Sequence, residues 1–577
     1  MRLQSVIIPD KEQCSELYFR GSLTLAARDI LTFDTYFNSF SYTKYREYTT
    51  VKEVCFSCKF SGRARVELCV FDGKERIVCG GEFSEGAELS ADLSALPEHG
   101  FLYPKITALT DVSFEYGEFR ADCEPQKISC CIAICTYKRE SYVLKNTALL
   151  RDFRFSFIDR VFVIDNGNTL DCGALSDDFI KALPNRNFGG SGGFTRGLIE
   201  AQEGGFSHVI LMDDDVEFHP ETLEKMTVFT ALLKQEYSRA HFGTAMLSRN
   251  VPCIQYELGG ADWNGRRVCK GKHNIDVRAP RELLANLTGN EIGYGAWWCF
   301  LLPVSDVKEY GLPYPFFIKI DDVEYGLRTC KNTPIITMNG AAVRHDDFDN
   351  KFSMHLEYYN VRNQLVMNAA QNIKPFRNAL YRLFAASFKQ LVLYRYDCIP
   401  LILRAFEDFL AGVDFFLQCD EENLNREIMQ NAPKPKPLAD IPEWDEKMRG
   451  MPRGKDNKIL TPFAVLTFAG HLIPTFMLKK GTGAAPLSRA GAADALRRRA
   501  VVQYQLGGDT GILTERSVKK FAVCSIKVLG MAFRLMFSFG RARKSFRARK
   551  GEISSVEFWR RHLASTDTGD SGSRSES

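Results

Sequence analysis

From about residue 127 the chain sets short apolar runs against helical stretches. The runs are 128–135, 160–165 and 208–213, and each closes in polar or glycine-rich residues. This alternation predicts βαβ units around a largely parallel sheet. The closing residues are Thr136-Tyr-Lys-Arg139, Asp165-Asn-Gly167 and Asp213-Asp-Asp215. Open α/β sheets bind ligands outside such carboxyl ends.

The chain before residue 125 reads differently. Short β-rich runs at 54–60, 64–71 and 112–116 are punctuated by turn residues, with an Asp72-Gly73 hairpin signal and a second break at Cys79-Gly80-Gly81. We expect a β-sandwich with no chemistry of its own over residues 1–125, followed by a catalytic α/β domain over 126–355. Helical patterning takes over at 354–363 and 376–418, giving a helical domain over 356–430. Ala432-Pro-Lys-Pro-Lys-Pro437 marks an extended linker within 431–457. A C-terminal helical segment is expected over 458–562, and a disordered tail over 563–577.

Composition narrows the class. The 577 residues carry 75 Lys and Arg against 71 Asp and Glu, a formal charge of +4, with 45% hydrophobic residues, 43 Gly and 22 Pro. That excludes fibrous and wholly disordered chains and gives no reason to expect a nucleic-acid partner. The apolar stretch after Met1 is too short for a signal peptide, so the 17 Cys are expected as free thiols in a reducing, cytoplasmic setting. Cys55-x-x-Cys58, Cys69 and Cys79 lack finger-like spacing and read as strand-core residues rather than zinc ligands.

Two stretches bear on membranes. Residues 460–478 approach spanning length but hold two prolines, a glycine and a histidine, so a buried or surface-docked segment is expected. Residues 526–539 join apolar bulk to the basic run 541–550, a combination that anionic headgroups attract. A packed helix with a solvated basic tail is the competing reading.

The strongest chemical signal is Asp213-Asp214-Asp215 directly after an apolar strand. Clustered carboxylates at a strand end call for a cation, and oxygen ligation points to Mg²⁺ or Mn²⁺, with Asp213 and Asp215 able to point the same way. The rival reading is an acidic cap on the helix entered at Glu217–Glu221. A second cluster, Asp321-Asp322, closes the apolar run 315–320, which suggests one cluster for metal and one for proton transfer. Between them lies the Trp297-Trp298 pair, suited to sugar faces or to a core. His345 is a candidate ligand beyond both clusters. Asn187-Phe-Gly-Gly-Ser-Gly-Gly193 allows close backbone approach, but it does not follow the first strand as a dinucleotide fingerprint would.

Taken in order, these motifs, with the aromatic-rich segment 34–40 and Phe406-Glu-Asp-Phe-Leu-Ala-Gly412, resemble family 2 glycosyltransferases of the GT-A fold. Within that family the resemblance is to the polymerising galactofuranosyltransferases of mycobacterial galactan synthesis. It implies an inverting, metal-dependent enzyme that transfers galactofuranose from UDP-galactofuranose to a growing cell-surface glycan. Asp213, Asp215 and His345 would then hold Mn²⁺ or Mg²⁺. Thr136, Arg139, Asp165, Asn187, Gly189, Gly190, Gly192 and Asp214 would border the nucleotide-sugar donor, and Trp297 and Trp298 a lipid-linked or polysaccharide acceptor. Asp322 would be the general base, with Asp321 as the fallback. The expected location is peripheral, on the cytoplasmic face of the cell membrane, with self-association left open. The alternatives are the same chemistry with a pyranosyl or rhamnosyl donor, or a non-catalytic carbohydrate-binding protein.

Overall fold

Two long strands, β1 (Glu53–Phe71) and β2 (Glu75–Asp92), organise the N-terminal region in the computed structural model. The structure describes residues 1–9, 14–263, 265, 268–270, 272–288, 292–348, 353–450, 459–479 and 481–564. Of the tail expected over 563–577, Leu563 and Ala564 end a helix and residues 565–577 lie outside the described residues. The hairpin turns at Asp72–Lys74, with Gly73 at φ 110°, where a glycine costs least. Strands β3 (Phe101–Ala108) and β4 (Val112–Arg120) lie head to tail along the other edge of β1. Arg2–Ser5, Thr24–Leu25 and Ile30–Thr32 complete seven strands.

These strands form one connected antiparallel sheet rather than the two separate sheets expected, because β1 and β2 run through both halves. The expected break at Cys79–Gly81 is instead part of β2, beside a bulge at Val78, the extra residue opposite Leu68 and Cys69 of β1. Cys55, Cys58 and Cys69 sit on β1 and Cys79 on β2, with Cys58 and Cys69 buried.

The central sheet contains β5 (Cys130–Thr136), β6 (Ile158–Asp165), β7 (Ile180–Pro184) and β8 (His208–Asp213), all parallel. Helix α1 (Gly189–Glu203) leads into β8, and α2 (Pro220–Ala231) follows it. After β9 (His241–Gly243) and β10 (Ala245–Ser248), β11 (Cys299–Pro303) inserts antiparallel between β8 and β9. Helix α3 (Asp321–Thr329), β12 (Ile335–Ile336) and β13 (Ala342–His345) complete the region. The sheet order is β7-β6-β5-β8-β11-β9-β12, and β10 and β13 pair in parallel in an adjoining five-stranded sheet.

The alternation of side chains along these strands explains their unbroken apolar sequences. Ile132, Ile134, Val161, Val163, Ile210 and Met212 face a core shared with the N-terminal sheet. Ala133, Phe162, Ile164, Val209 and Leu211 face a second core shared with the helices that follow. A strand covered on both faces has no solvent side on which to place polar residues.

Helix α2 lies between the N-terminal and central sheets and buries Lys225, which is 1% exposed with no hydrogen-bond partner for Nζ among the described residues. Burial lowers its pKa to about 8. An unpaired buried ammonium costs stability, so Lys225→Met is expected to stabilise the fold by about 2 kcal/mol at pH 7. Below pH 8 the lysine is charged in both folded and unfolded chains and the cost is fully present. The gain should therefore shrink as pH rises from about 8 towards 10.5, which thermal melts across that range would measure.

Helices α4 (Leu356–Ala370), α5 (Pro375–Val392) and α6 (Ile399–Leu410) cover the second core. Helix α7 (Val518–Arg549) packs on all three through Cys524, Val528, Met531, Leu535, Phe539, Ala542 and Phe546, at spacings of three or four. The chain then returns through α8 (Val556–Ala564), whose buried Trp559 donates from Nε1 to Pro313 O at 2.9 Å.

The C-terminal segment, expected to be helical over 458–562, is not wholly so. Lys436–Pro437, Thr510–Glu515, Ala500–Tyr504 and Gly483–Pro486 form a four-stranded sheet in that order. The proline-lysine stretch is extended, and its end joins this sheet as an edge strand. Residues 460–478 form short helical turns on the surface, with Phe463, Leu466, Leu472 and Phe476 exposed.

Candidate active site

The carboxyl ends of β5 and β8 open onto a cavity of about 440 Å³. Asp213, Asp214, Asp215, Asp321 and Asp322 all line it, with His345, Arg139, Gly190, Trp297 and Trp298. Acidic clusters more than 100 residues apart in sequence thus face one space. The acidic helix-cap reading fails: α2 begins at Pro220 and its cap is His219, whose Nδ1 accepts from Glu221 N at 3.2 Å.

Asp213, Asp215 and His345 bring ligand atoms within 4.8 Å of one another. Strand β8 delivers Asp213, and β13, paired with β10, delivers His345. His345 Nε2 lies 3.2 Å from Asp215 Oδ1. Its Nδ1 lies 2.6 Å from the Asp346 carbonyl, which can only accept. Nδ1 therefore carries a proton, which leaves Nε2 as the nitrogen directed at the carboxylates. Arg249 braces the arrangement, donating to Asp215 O at 2.7 Å and to Asp346 Oδ1 at 2.9 Å. Two carboxylates and one oriented imidazole form a donor set suited to a hard divalent cation.

Burial pushes the Asp213 carboxyl up to about 7, with Asp215 and Asp214 adding repulsion against the pull of His345 and Arg139. Asp214 is turned away from the set. Thr136 Oγ1 donates to it at 2.7 Å, Arg139 Nη1 at 3.2 Å, and Asn146 holds its carbonyl at 2.9 Å. Arg139 also pairs with Asp215, so one guanidinium joins Asp214 and Asp215.

Asp321 and Asp322 open α3. Asp321 Oδ2 accepts from Ser191 Oγ at 3.0 Å, and Asp322 Oδ1 from Val323 N at 2.8 Å. Burial, then the neighbouring Asp321, pushes Asp322 up to about 7. A carboxyl poised there can exchange a proton near neutral pH.

Several residues expected at the donor do not line this cavity. Asp165 is fully buried and caps its own turn, accepting from Gly167 N at 2.9 Å and from Thr169 N and Leu170 N at 2.8 Å. Thr136 works through Asp214. Asn187 Oδ1 accepts from Gly189 N at 3.0 Å at the start of α1. Most of the glycines serve packing. A Cβ on Gly189, at φ 64°, would lie 2.0 Å from Phe317 O, and one on Gly192 would lie 2.2 Å from Phe188 Cβ. Gly190 alone of these reaches the cavity.

The tryptophans line the cavity but present no open ring faces. Trp297 and Trp298 are 5% and 4% exposed. Trp297 packs edge-on against Phe194 and Tyr325, and Trp298 Nε1 donates to Thr244 O at 3.0 Å. Sequence reasoning missed Glu257, Tyr294, Lys319 and Phe348, which complete the cavity. Glu257 stands alone in an unremarkable stretch, but Tyr294 lies three residues before the tryptophan pair and Lys319 two residues before the second acidic cluster, signals that were available.

The fold and site define a class, and comparisons with known proteins bear on it directly. Residues 131–229 match the family described as Glycosyl transferase family 2, and residues 6–122 match Galactofuranosyltransferase 2 N-terminal. The protein is a glycosyltransferase whose central domain is a family 2 domain.

Among curated proteins it is similar to Galactofuranosyltransferase GlfT2 of Mycolicibacterium smegmatis, 27% identical over 431 residues, which are 68% of this chain and 66% of that relative. It is also similar to Galactofuranosyltransferase GlfT2 of Mycobacterium tuberculosis, 26% identical over 460 residues, 70% and 69% of the two chains. The matched region is thus about two thirds of each relative's length. Among solved structures, the mannosyltransferase PcManGT from Pyrobaculum calidifontis, in complex with GDP-Man and Mn²⁺, is 12% identical over 50% of this chain and 77% of that one, with a TM-score of 0.30. Mannosyl-3-phosphoglycerate synthase from Rubrobacter xylanophilus is 10% identical over 43% and 76%, with a TM-score of 0.29.

Proposed function

We propose that this glycosyltransferase is an inverting, metal-dependent enzyme that transfers galactofuranose from UDP-galactofuranose to a growing cell-surface glycan. The observation that carries the reading is the shared cavity, with a cation-type donor set on one side and a near-neutral carboxyl on the other. The similarity to two proteins named galactofuranosyltransferases supports the choice of sugar.

In this reading Asp213, Asp215 and His345 hold Mn²⁺ or Mg²⁺, which would offset the charge that builds on the leaving diphosphate. Arg139 carries a further positive charge beside them. An acceptor hydroxyl oxygen attacks the anomeric carbon and its proton passes to the Asp322 carboxylate. The bond from that carbon to the diphosphate breaks, leaving its electron pair on UDP. One displacement from the opposite side inverts the anomeric centre, so an α-linked donor yields a β-linked product. Trp297 and Trp298 border the acceptor. Their burial argues against a standalone sugar-binding platform, which needs open ring faces.

Incubating the protein with UDP-galactofuranose, Mn²⁺ and a galactofuranosyl acceptor should release UDP. The metal and diphosphate contacts do not select a sugar, so a panel of nucleotide sugars belongs in the same experiment. Faster turnover of a pyranosyl or rhamnosyl donor would reassign the substrate, and no release with any donor would overturn the reading.

The acceptor is proposed to be lipid-linked or polysaccharide and to be met at the cytoplasmic face of the membrane. Helix α7 is long and apolar enough to cross a bilayer, but its inner face is committed to α4, α5 and α6. Its outer face exposes Ile526, Leu529, Phe533 and Phe537 and leads into the basic run 541–550. That pattern suits a helix lying on an anionic surface. Replacing Phe533 and Phe537 with Asp should abolish co-sedimentation with anionic vesicles while leaving transfer to a soluble acceptor intact.

A further inference from the structure

The segment that presents Asp321 and Asp322 is strained. Phe317, Lys319 and Ile320 hold φ of 66°, 69° and 71°, a left-handed conformation that side chains disfavour. Such a segment persists only where its surroundings over-determine it. One side chain does most of this. Asn363, on α4 and fully buried, directs Nδ2 at three carbonyls of the segment: Phe316 at 3.1 Å, Ile318 at 3.0 Å and Lys319 at 2.8 Å.

The amide orientation is itself fixed. Arg362 Nε lies 3.0 Å from Asn363 Oδ1, and a guanidinium can only donate, so the oxygen must face it and the NH₂ must face the carbonyls. Arg362 Nη2 adds a bond to Phe316 O at 3.0 Å, and its own place is held by Tyr358, whose hydroxyl accepts from Nη1 at 3.2 Å. On its far side the segment meets α1, where Phe317 O accepts from Ser191 N at 3.3 Å and Asp321 from Ser191 Oγ.

We propose that Asn363 is a positioning residue for sugar transfer. Set in the helical region outside the cavity, it holds the strained 316–320 segment so that the carboxylates of Asp321 and Asp322 face the cation-type donor set. The inference rests on the transferase reading above, yet the hold itself can be read without activity.

Asn363→Asp keeps the shape of the side chain and removes its donors, turning an acceptor towards three carbonyls. Asn363→Ala removes donors and shape together. If donation is what matters, amide hydrogen exchange in 316–322 should quicken at least tenfold in both variants and more in Asp than in Ala. UDP binding in the presence of Mn²⁺ should stay within twofold of the parent. With an active parent enzyme, kcat should fall at least tenfold in the same order, with the KM for donor little changed. The reverse order, Asp near parent and Ala impaired, would mean that Asn363 merely fills space, and unchanged exchange in both variants would overturn the proposal outright. Should either variant unfold, recognised by its melting curve, Asn363→Ser supplies the donor-poor comparison on the same exchange readout. Failure of the parent enzyme to transfer any sugar would remove the functional reading and leave the exchange ranking to decide the hold.

Discussion

Asp322→Asn is expected to lower kcat by about 10³-fold, in the range found when a general base is removed, while UDP binding stays within twofold of the parent. Asparagine keeps the acceptor that Val323 N–H uses at 2.8 Å, so the start of α3 should survive the change and melting should be little affected. The pH profile provides the sharper test. Burial and the neighbouring Asp321 push Asp322 up to about 7, and a base works only when ionised. With Mn²⁺ held at saturation, kcat/KM of the parent enzyme should therefore climb about tenfold per pH unit below 7 and level off above it, and that limb should be missing from the residual activity of the variant. Asp321→Asn separates the two carboxylates. It removes the like charge that helps to hold Asp322 up, so the limb should move to lower pH while most of the rate remains. A dominant loss in Asp321→Asn, with Asp322→Asn near parent, would exchange their roles.

Much of this site could be read from sequence, and for a physical reason. Strands β5, β6 and β8 are covered on both faces, so they appear as continuous apolar runs, and their carboxyl ends are where polar residues can begin. Asp213–Asp215 and Asp321–Asp322 stand out because packing gives no reason to cluster like charges there. What sequence could not supply was distance. Asp165, Asn187 and Gly192 sit in motifs next to the site, yet their atoms are used in a turn, a helix start and a close packing contact. Asn363 was passed over because a polar residue in a helical pattern carries no mark of the carbonyls it faces. The C-terminal sheet was missed because its strands are short and set among alanine and arginine residues that read as helix.

Chelation should abolish sugar transfer, and Mn²⁺ or Mg²⁺ should restore it. His345→Ala should weaken activation by the cation by at least about 100-fold, since even the partners that orient a metal ligand are typically worth 10–100-fold. The donor set explains why the requirement should be strict. Asp213, Asp214 and Asp215 crowd negative charge beside the space where a diphosphate must gain more, offset in part by Arg139 and His345, which pair with Asp214 and Asp215. A nucleotide diphosphate approaching without a cation would meet that field directly. The same crowding sets the pH dependence of activation. With Asp213 pushed up to about 7, protons compete with the cation below that value, so the half-activating Mn²⁺ concentration should rise as pH falls through 7 and flatten above it. Arg249→Met should weaken activation more mildly, because it removes the brace on Asp215 and Asp346 while leaving all three ligands in place. Full transfer in the presence of excess chelator would remove the cation from the account and leave Arg139 as the group facing the diphosphate.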